Sequence, residues 1–246
     1  EAAVAGAIPI IQALQHGLVA NQFSALSGII NGTCNYMLSA MENEGVDFDA
    51  ILARAQALGY AEADPTFDVD GIDAAHKLTI LMALAFDTDF EFDKVYVEGI
   101  RALTPIDISY AAELGYRIKH LGILRSSPDG IEARVHPTLV PHSELVAHVN
   151  GVLNAVQVVS DAAGKTLFSG PGAGGAATAS AVVADIVETA LNPQQPIADR
   201  NSSAAMTVRP IEDISSAYYL RIPTRDEPGV FAEVTQILSS HNINID

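Results

Sequence analysis

The spacing of apolar residues divides the chain into helical and strand-like stretches. After Pro9, which a first helical turn tolerates, Ile10, Ile11, Leu14 and Leu18 recur every three or four positions and predict a helix that Gly17 can end. Residues 23–30 alternate weakly and read as a strand running into the turn Asn31-Gly32-Thr33, after which Tyr36, Met37, Ala40 and Met41 begin a helix. Ile51, Leu52, Ala55 and Leu58 mark an amphipathic helix over 48–58, closed by Gly59. Ile72, Ala75, Leu78, Thr79, Met82 and Phe86 mark another, with Asp70 as its expected cap. A short strand-like run at 95–100 and a helix over 108–114, capped around Pro105 and Asp107, come next. RIKHLGIL (117–124), IEARVHPTLV (131–140) and residues 149–170 show the period-two, β-branched pattern of antiparallel strands. A helix over 177–191 leads into a linker, then a strand at 217–222, a helix at 230–239 and INID (243–246), the opening of a further strand. The fold class expected is α+β: a mixed open sheet with helices on one face, and an incomplete βα unit at the end.

Composition narrows the function. With 246 residues, 49% of them hydrophobic, the chain can bury a sizeable core. A net charge of −17 argues against nucleic acid or an anionic membrane as partner, because both repel an acidic surface. No apolar run approaches the roughly 18–20 residues of a membrane span, and LTILMALAF (78–86) is better read as a buried helix. The single Cys34 excludes an intrachain disulfide and suits a reducing compartment, so a cytoplasmic location is expected. With no histidine or acid spaced to activate it, Cys34 reads as a small buried side chain.

The chemistry concentrates in residues 59–77, GYAEADPTFDVDGIDAAHK. Glu62, Asp64, Asp68, Asp70 and Asp73 precede one lysine, Lys77. Asp73 and Lys77 lie a turn apart on one helix face; alone, such a pair is worth about 0.3–0.5 kcal/mol. GPGAGG (170–175) satisfies G-x-G-x-x-G, but the helix after it runs into NPQQPIADRNSS rather than into a second strand ending in an acid. On its own it reads as a glycine turn opening a helix. His76, His120, His136 and His142 have no ligand spacing with the carboxylates, which weakens a metal-dependent hydrolase reading.

Four blocks acquire meaning together: EAAVAGAIPII (1–11), NGTCNYML (31–38), the acidic stretch 59–77 and GPGAGGAATASAVVADI (170–186). In order and spacing they resemble homoserine dehydrogenase, from Glu1 to about Asn192. The resemblance implies NAD(P)-dependent interconversion of aspartate 4-semialdehyde and homoserine. It makes Lys77 the acid, and has Asp73 orient Lys77 or bind the substrate hydroxyl. Glu62 would take the substrate ammonium, with Tyr60 and Asp68 lining the pocket and Gly32 and Thr33 forming its floor. Gly172 and Gly174 would approach the nicotinamide end of NADP or NAD, a cofactor carried mainly by a nucleotide-binding domain that in the family precedes the residue matching Glu1. The Glu1 side chain and the carbonyls of Val4, Gly6 and Ile8 are implied to hold a monovalent cation, commonly sodium. Residues 117–169 would pair subunits into a homodimer or higher homo-oligomer. Residues 218–245 resemble the first half of an ACT domain, which binds an amino-acid effector at the turn 226–230. The organisation expected is a catalytic and dimerisation domain (1–200), a linker (201–215) and a truncated ACT domain (216–246). The alternative is a non-catalytic module for dimerisation and amino-acid binding.

Overall fold

The computed structural model describes residues 1–192 and 206–243. It divides into two units, Glu1–Ser215 and Ser216–Asp246.

In the first unit, a short helix α1 (Ile10–Gln12) continues into a π-helical turn, Ala13–Gly17. Strand β1 (Phe23–Ile29) then leads directly into α2 (Gly32–Glu44), followed by α3 (Phe48–Ala57), α4 (Thr66–Val69) and α5 (Ile72–Phe86). A two-residue strand β2 (Tyr96–Val97) precedes α6 (Pro105–Glu113). Helix α6 starts three residues earlier than the apolar spacing indicates, because Thr104 and Asp107 form a capping box and Pro105 takes the first helical position. The long hairpin β3 (Tyr116–Ser127) and β4 (Gly130–Pro141), then β5 (Leu153–Ser160) and β6 (Gly164–Pro171), complete a sheet of order β2-β4-β3-β1-β5-β6. Its pairs are antiparallel except β2 with β4, so the sheet is mixed and open. Helix α7 (Gly175–Leu191) follows β6.

Packing explains where α5 lies. Leu78, Leu81 and Met82 are fully buried with Leu26, Leu124, Val135 and Val156 of the sheet. Each such side chain contributes about 1.5–3 kcal/mol by leaving water. The helix comes this close because β3 carries Gly122 under it: a Cβ there would lie 2.9 Å from Leu78 Cδ1. Helices α2, α3, α4 and α6 share a second cluster that includes Met37, Met41, Ile51, Val69 and Ile100. Ile29, Leu121, Ile123, Val140 and Ala155 alternate with the residues beneath α5 and form a third cluster with Val146, Ala147 and Val149, around the 3-10 turn Leu145–His148.

Two expectations change. Asp70 does not cap α5: the N-cap is Gly71 at φ 86°, and the Asp70 carboxylate is held 2.5 Å from Arg101 Nε. A left-handed residue at the cap turns the preceding side chain out of reach of the free helix amides. The segment at residues 206–215, read as linker, adds Thr207–Arg209 to the start of β4, with Ile131 N donating to Thr207 O and Arg209 N to Ile131 O. Val208 and Ile214 are buried.

In the second unit, α8 (Val230–Ser240) opens at Gly229, which is left-handed at φ 96°. Among the described residues no strand is assigned over 217–222, where the βα unit was expected to begin. Leu220, Phe231 and Ile237 are exposed. Residues 201–205 of the expected linker and 244–246 of the expected second strand lie outside the described residues.

Candidate active site

The end of β1 delivers Asn31 to the N-terminus of α2, where its Oδ1 accepts the Cys34 N–H at 2.8 Å. The other end of the same amide gathers the acidic stretch. Asn31 Nδ2 donates to Asp68 Oδ1 at 2.8 Å and to Asp73 Oδ2 at 2.9 Å. Both amide protons and the carbonyl oxygen are therefore used, as a buried amide requires.

Asp73 and Lys77 meet across one turn of α5, with Nζ 2.7 Å from Asp73 Oδ2. Lys77 Nζ also donates to the Ile30 carbonyl at 3.2 Å. An ammonium carries three protons, so one remains for another acceptor. With side-chain exposures of 22% for Lys77 and 18% for Asp73, the pair is neither a solvated surface bridge nor sealed in the core.

Other candidate residues are held around this network. Thr33 Oγ1 donates to the Tyr60 carbonyl at 2.6 Å, tying the start of α2 to the segment after α3. The Tyr60 ring meets Tyr36 edge-on at 4.9 Å, and the Tyr36 hydroxyl accepts from Arg54 Nε. Glu62 is exposed and its carboxylate makes no hydrogen bond within the described residues, whereas Asp64 is occupied by the Thr66 N–H. Cys34 is buried with its thiol against the Asp68 carbonyl; burial first, then Asp68, Asp73 and Asp70, push its pKa well above the ordinary value. Such a thiol is inert at neutral pH.

Residues 9–187 match the family model described as homoserine dehydrogenase. The chain belongs to the homoserine dehydrogenase family. It is 55% identical to a homoserine dehydrogenase of Pseudomonas aeruginosa, covering all of this chain and 58% of that protein. A crystal structure of a homoserine dehydrogenase from Thiobacillus denitrificans superposes with a TM-score of 0.90 at 50% identity, over 100% of this chain and 59% of that one. A hyperthermophilic archaeal homoserine dehydrogenase, solved in complex with NADPH, superposes with a TM-score of 0.67 at 27% identity, over 78% of this chain and 55% of that one. The chain thus spans a little under three-fifths of the length of these relatives.

The remaining candidate residues lie in two loops that touch. Gly172 follows β6, and Gly174 is the N-cap of α7 at φ 108°. Gly6 packs directly on Gly172: a Cβ on Gly6 would lie 2.5 Å from the Gly172 carbonyl, and Ala7 N donates to Pro171 O at 3.1 Å. Ala5 and Gly6 are consecutive left-handed residues, at φ 60° and 56°, in the loop that carries the Val4, Gly6 and Ile8 carbonyls. Glu1 Oε1 accepts the N–H groups of Ile11 and Gln12, which leaves Oε2 without a hydrogen bond within the described residues. The Ile8 carbonyl accepts from Ile10 N at 2.7 Å. A free carboxylate oxygen beside a tightly turned, carbonyl-bearing loop is compatible with a hard cation.

Sequence reasoning read Asn31-Gly32-Thr33 as an ordinary turn with a cap, and gave no sign that the Asn31 amide also gathers Asp68 and Asp73. Asn154 went unnoticed; nothing in its neighbourhood along the chain distinguishes it.

Proposed function

We propose that the longer protein carrying this chain catalyses the NAD(P)-dependent interconversion of L-homoserine and L-aspartate 4-semialdehyde, and that this chain supplies the substrate side and the proton-transfer group. The observation that carries the reading is the Lys77 ammonium, oriented by Asp73 and the Ile30 carbonyl with a third proton uncommitted. The nicotinamide, when bound, delivers or removes the hydride. As a C–H bond forms at the aldehyde carbon, the π-electron pair moves onto oxygen, and Lys77 neutralises that charge and protonates it. In the reverse direction Lys77 receives the hydroxyl proton. Asp73 orients Lys77 through Oδ2, which Nζ and Asn31 share, and its Oδ1 is on hand for the substrate hydroxyl. Glu62, with an unengaged carboxylate, takes the substrate ammonium; Tyr60, Asp68, Gly32 and Thr33 shape the pocket around it.

Gly172 and Gly174 flank the nicotinamide end of NADP or NAD, whose remainder is held outside this chain. Glu1, Val4, Gly6 and Ile8 supply the oxygens for a sodium ion that stiffens the loop under Gly172. Subunits pair through the strand-rich region 117–169, the last unit is part of an amino-acid-binding ACT domain, and the protein works in the cytoplasm. Among the described residues no helix is long and apolar enough to cross a membrane.

The test uses the full-length protein with aspartate 4-semialdehyde and NADPH, followed by loss of reduced-nicotinamide absorbance. Turnover supports the assignment, and none with either NADPH or NADH rejects it. The 246-residue chain by itself is expected to show no calorimetric binding at micromolar NADPH, and light scattering should give a dimeric or larger mass; a monomer across micromolar concentrations rejects the pairing.

A further inference from the structure

The one buried polar atom at the junction of the two loops that finds no partner belongs to Asn154. Its residue is 1% exposed, yet Oδ1 makes no hydrogen bond among the described residues. An unpaired buried acceptor costs about 1–3 kcal/mol, so such a group stands out in a site whose other amide, Asn31, is fully used.

The surroundings of Asn154 are glycines on two sides. A Cβ built on Gly172 would lie 2.1 Å from Asn154 Cγ, 2.2 Å from Nδ2 and 2.4 Å from Oδ1. No side chain fits between that backbone and the amide. A Cβ on Gly32, the first residue of α2, would lie 3.6 Å from Asn154 Oδ1 and 3.0 Å from the Val152 carbonyl. The Asn154 amide is thus set between the glycine loop and the Asn31-Gly32-Thr33 turn, on a strand held by the Leu153–Pro171 and Asn154–Gly170 pairs of the β5–β6 ladder. From its other side Gly172 is in close contact with Gly6.

We infer that Asn154 is a positioning residue: its side-chain amide sets the separation between the Gly172 loop and the start of α2, and its Oδ1 is the acceptor for a loop N–H once the loop tightens onto bound cofactor. The role rests on the dehydrogenase reading for its catalytic consequence, but not for its structural one. Hydride transfer depends on the distance between the cofactor face at Gly172 and the substrate held over Gly32 and Lys77. A displacement of about 1 Å between reacting groups costs on the order of 100-fold in rate.

The experiment uses the full-length protein and two readouts. In the first, amide hydrogen exchange of residues 170–175 is followed without cofactor in wild type and Asn154→Leu, which keeps the volume and removes both polar ends. The expected result is about tenfold faster exchange confined to the loop, with residues 155–160 of β5 unchanged. In the second, kcat with NADPH is expected to fall about 100-fold, with the primary deuterium isotope effect rising as the hydride step becomes limiting. Should Asn154→Leu not fold, Gly172→Ala pushes the same contact from the other side and is expected to show the same loop-confined exchange. Loop exchange equal to wild type in a folded variant overturns the positioning role, whatever the turnover. Altered loop exchange together with a wild-type protein that turns over no aspartate 4-semialdehyde leaves the positioning intact and rejects the dehydrogenase reading instead.

Discussion

The two walls of the proposed site differ in how completely the chain finishes them. On the lysine wall, at the meeting of α2 and α5, Asn31, Asp68, Asp73 and Lys77 are joined in one hydrogen-bonded network, and α5 beneath them is anchored by fully buried Leu78, Leu81 and Met82. On the glycine wall, Gly174 and Gly175 have nothing within 4 Å of where a side chain would stand, and α7 buries none of its residues. Val182, Val183, Ile186 and Val187 are exposed along it, and its ties to the first segment are polar, Glu188 receiving Gln12 and lying 3.6 Å from His16. Proton transfer needs a rigid, preorganised group, which a single unit can supply. Cofactor binding needs a cleft, and a cleft needs a second wall. The contrast explains how a chain of this length can hold an ordered lysine and still be expected not to retain a nicotinamide cofactor.

The largest test of the contrast is removal of the lysine wall's central group. In the full-length protein, Lys77→Ala is expected to lose about 100-fold to 10,000-fold in kcat while substrate KM changes little, the cost of deleting a general acid. Its melting temperature should stay close to wild type. If turnover stays within a few-fold, Lys77 is a structural partner of Asp73 and the comparison collapses.

Acid should break the lysine wall before the glycine wall. His120 lies under the start of α5, where a Cβ on Gly71 would come within 3.2 Å of its ring, and it donates through Nε2 to the Glu98 carbonyl. Burial, and to a lesser degree neighbouring His136, lowers its pKa to about 4, against the opposing pull of the Glu98 bond. A histidine with a folded pKa below its unfolded one binds fewer protons in the folded state, so stability falls as pH drops from about 6.5 to about 4 and levels off below. The full shift corresponds to about 3 kcal/mol. His136, also lowered mainly by burial, acts in the same direction as pH falls. Urea unfolding between pH 7 and pH 4 measures the slope; a flat profile, or one unchanged in His120→Asn, contradicts this account.

A smaller effect is expected at the hub. Asn31→Ala removes the cap of α2, worth about 1 kcal/mol, and frees Asp68 and Asp73 from their shared donor. Stability should drop by about 1–2 kcal/mol with a larger fractional loss in kcat than in KM. A loss of stability alone would limit Asn31 to capping.

The smallest effect separates the inner acids from the outer one. Asp70 points away to Arg101, with side chains 37% and 45% exposed, so Asp70→Ala should cost less than about 1 kcal/mol and leave turnover near wild type. A large kinetic loss there would mean the acidic stretch acts as a whole rather than through Asp68 and Asp73.

What could be read from the residues was what is local. The period of α5 places Asp73 and Lys77 on one face whatever surrounds the helix, because residues four apart in an α-helix are always neighbours. Alternation set out the strand-rich stretches at 117–124, 131–140 and 149–170, because residues two apart in a strand share a face, and the four spaced blocks pointed to the family. Local signals failed where the partner lies far along the chain. Asp70 had the chemistry of a cap, but Arg101, 31 residues on, claimed its carboxylate after Gly71 turned left-handed. Residues 217–222 had strand composition, but a strand is a property of a ladder rather than of a segment, and among the described residues none is assigned there. Asn31 joins acids 37 and 42 positions away, and the Asn154 amide meets two glycines from separate parts of the chain, Gly32 at the start of α2 and Gly172 after β6. Those meetings are decided by how β1, β5 and β6 stack beside α2 and α5. Side-chain packing between segments distant in sequence is a property of the assembled sheet and helices, and no spacing along the chain encodes it.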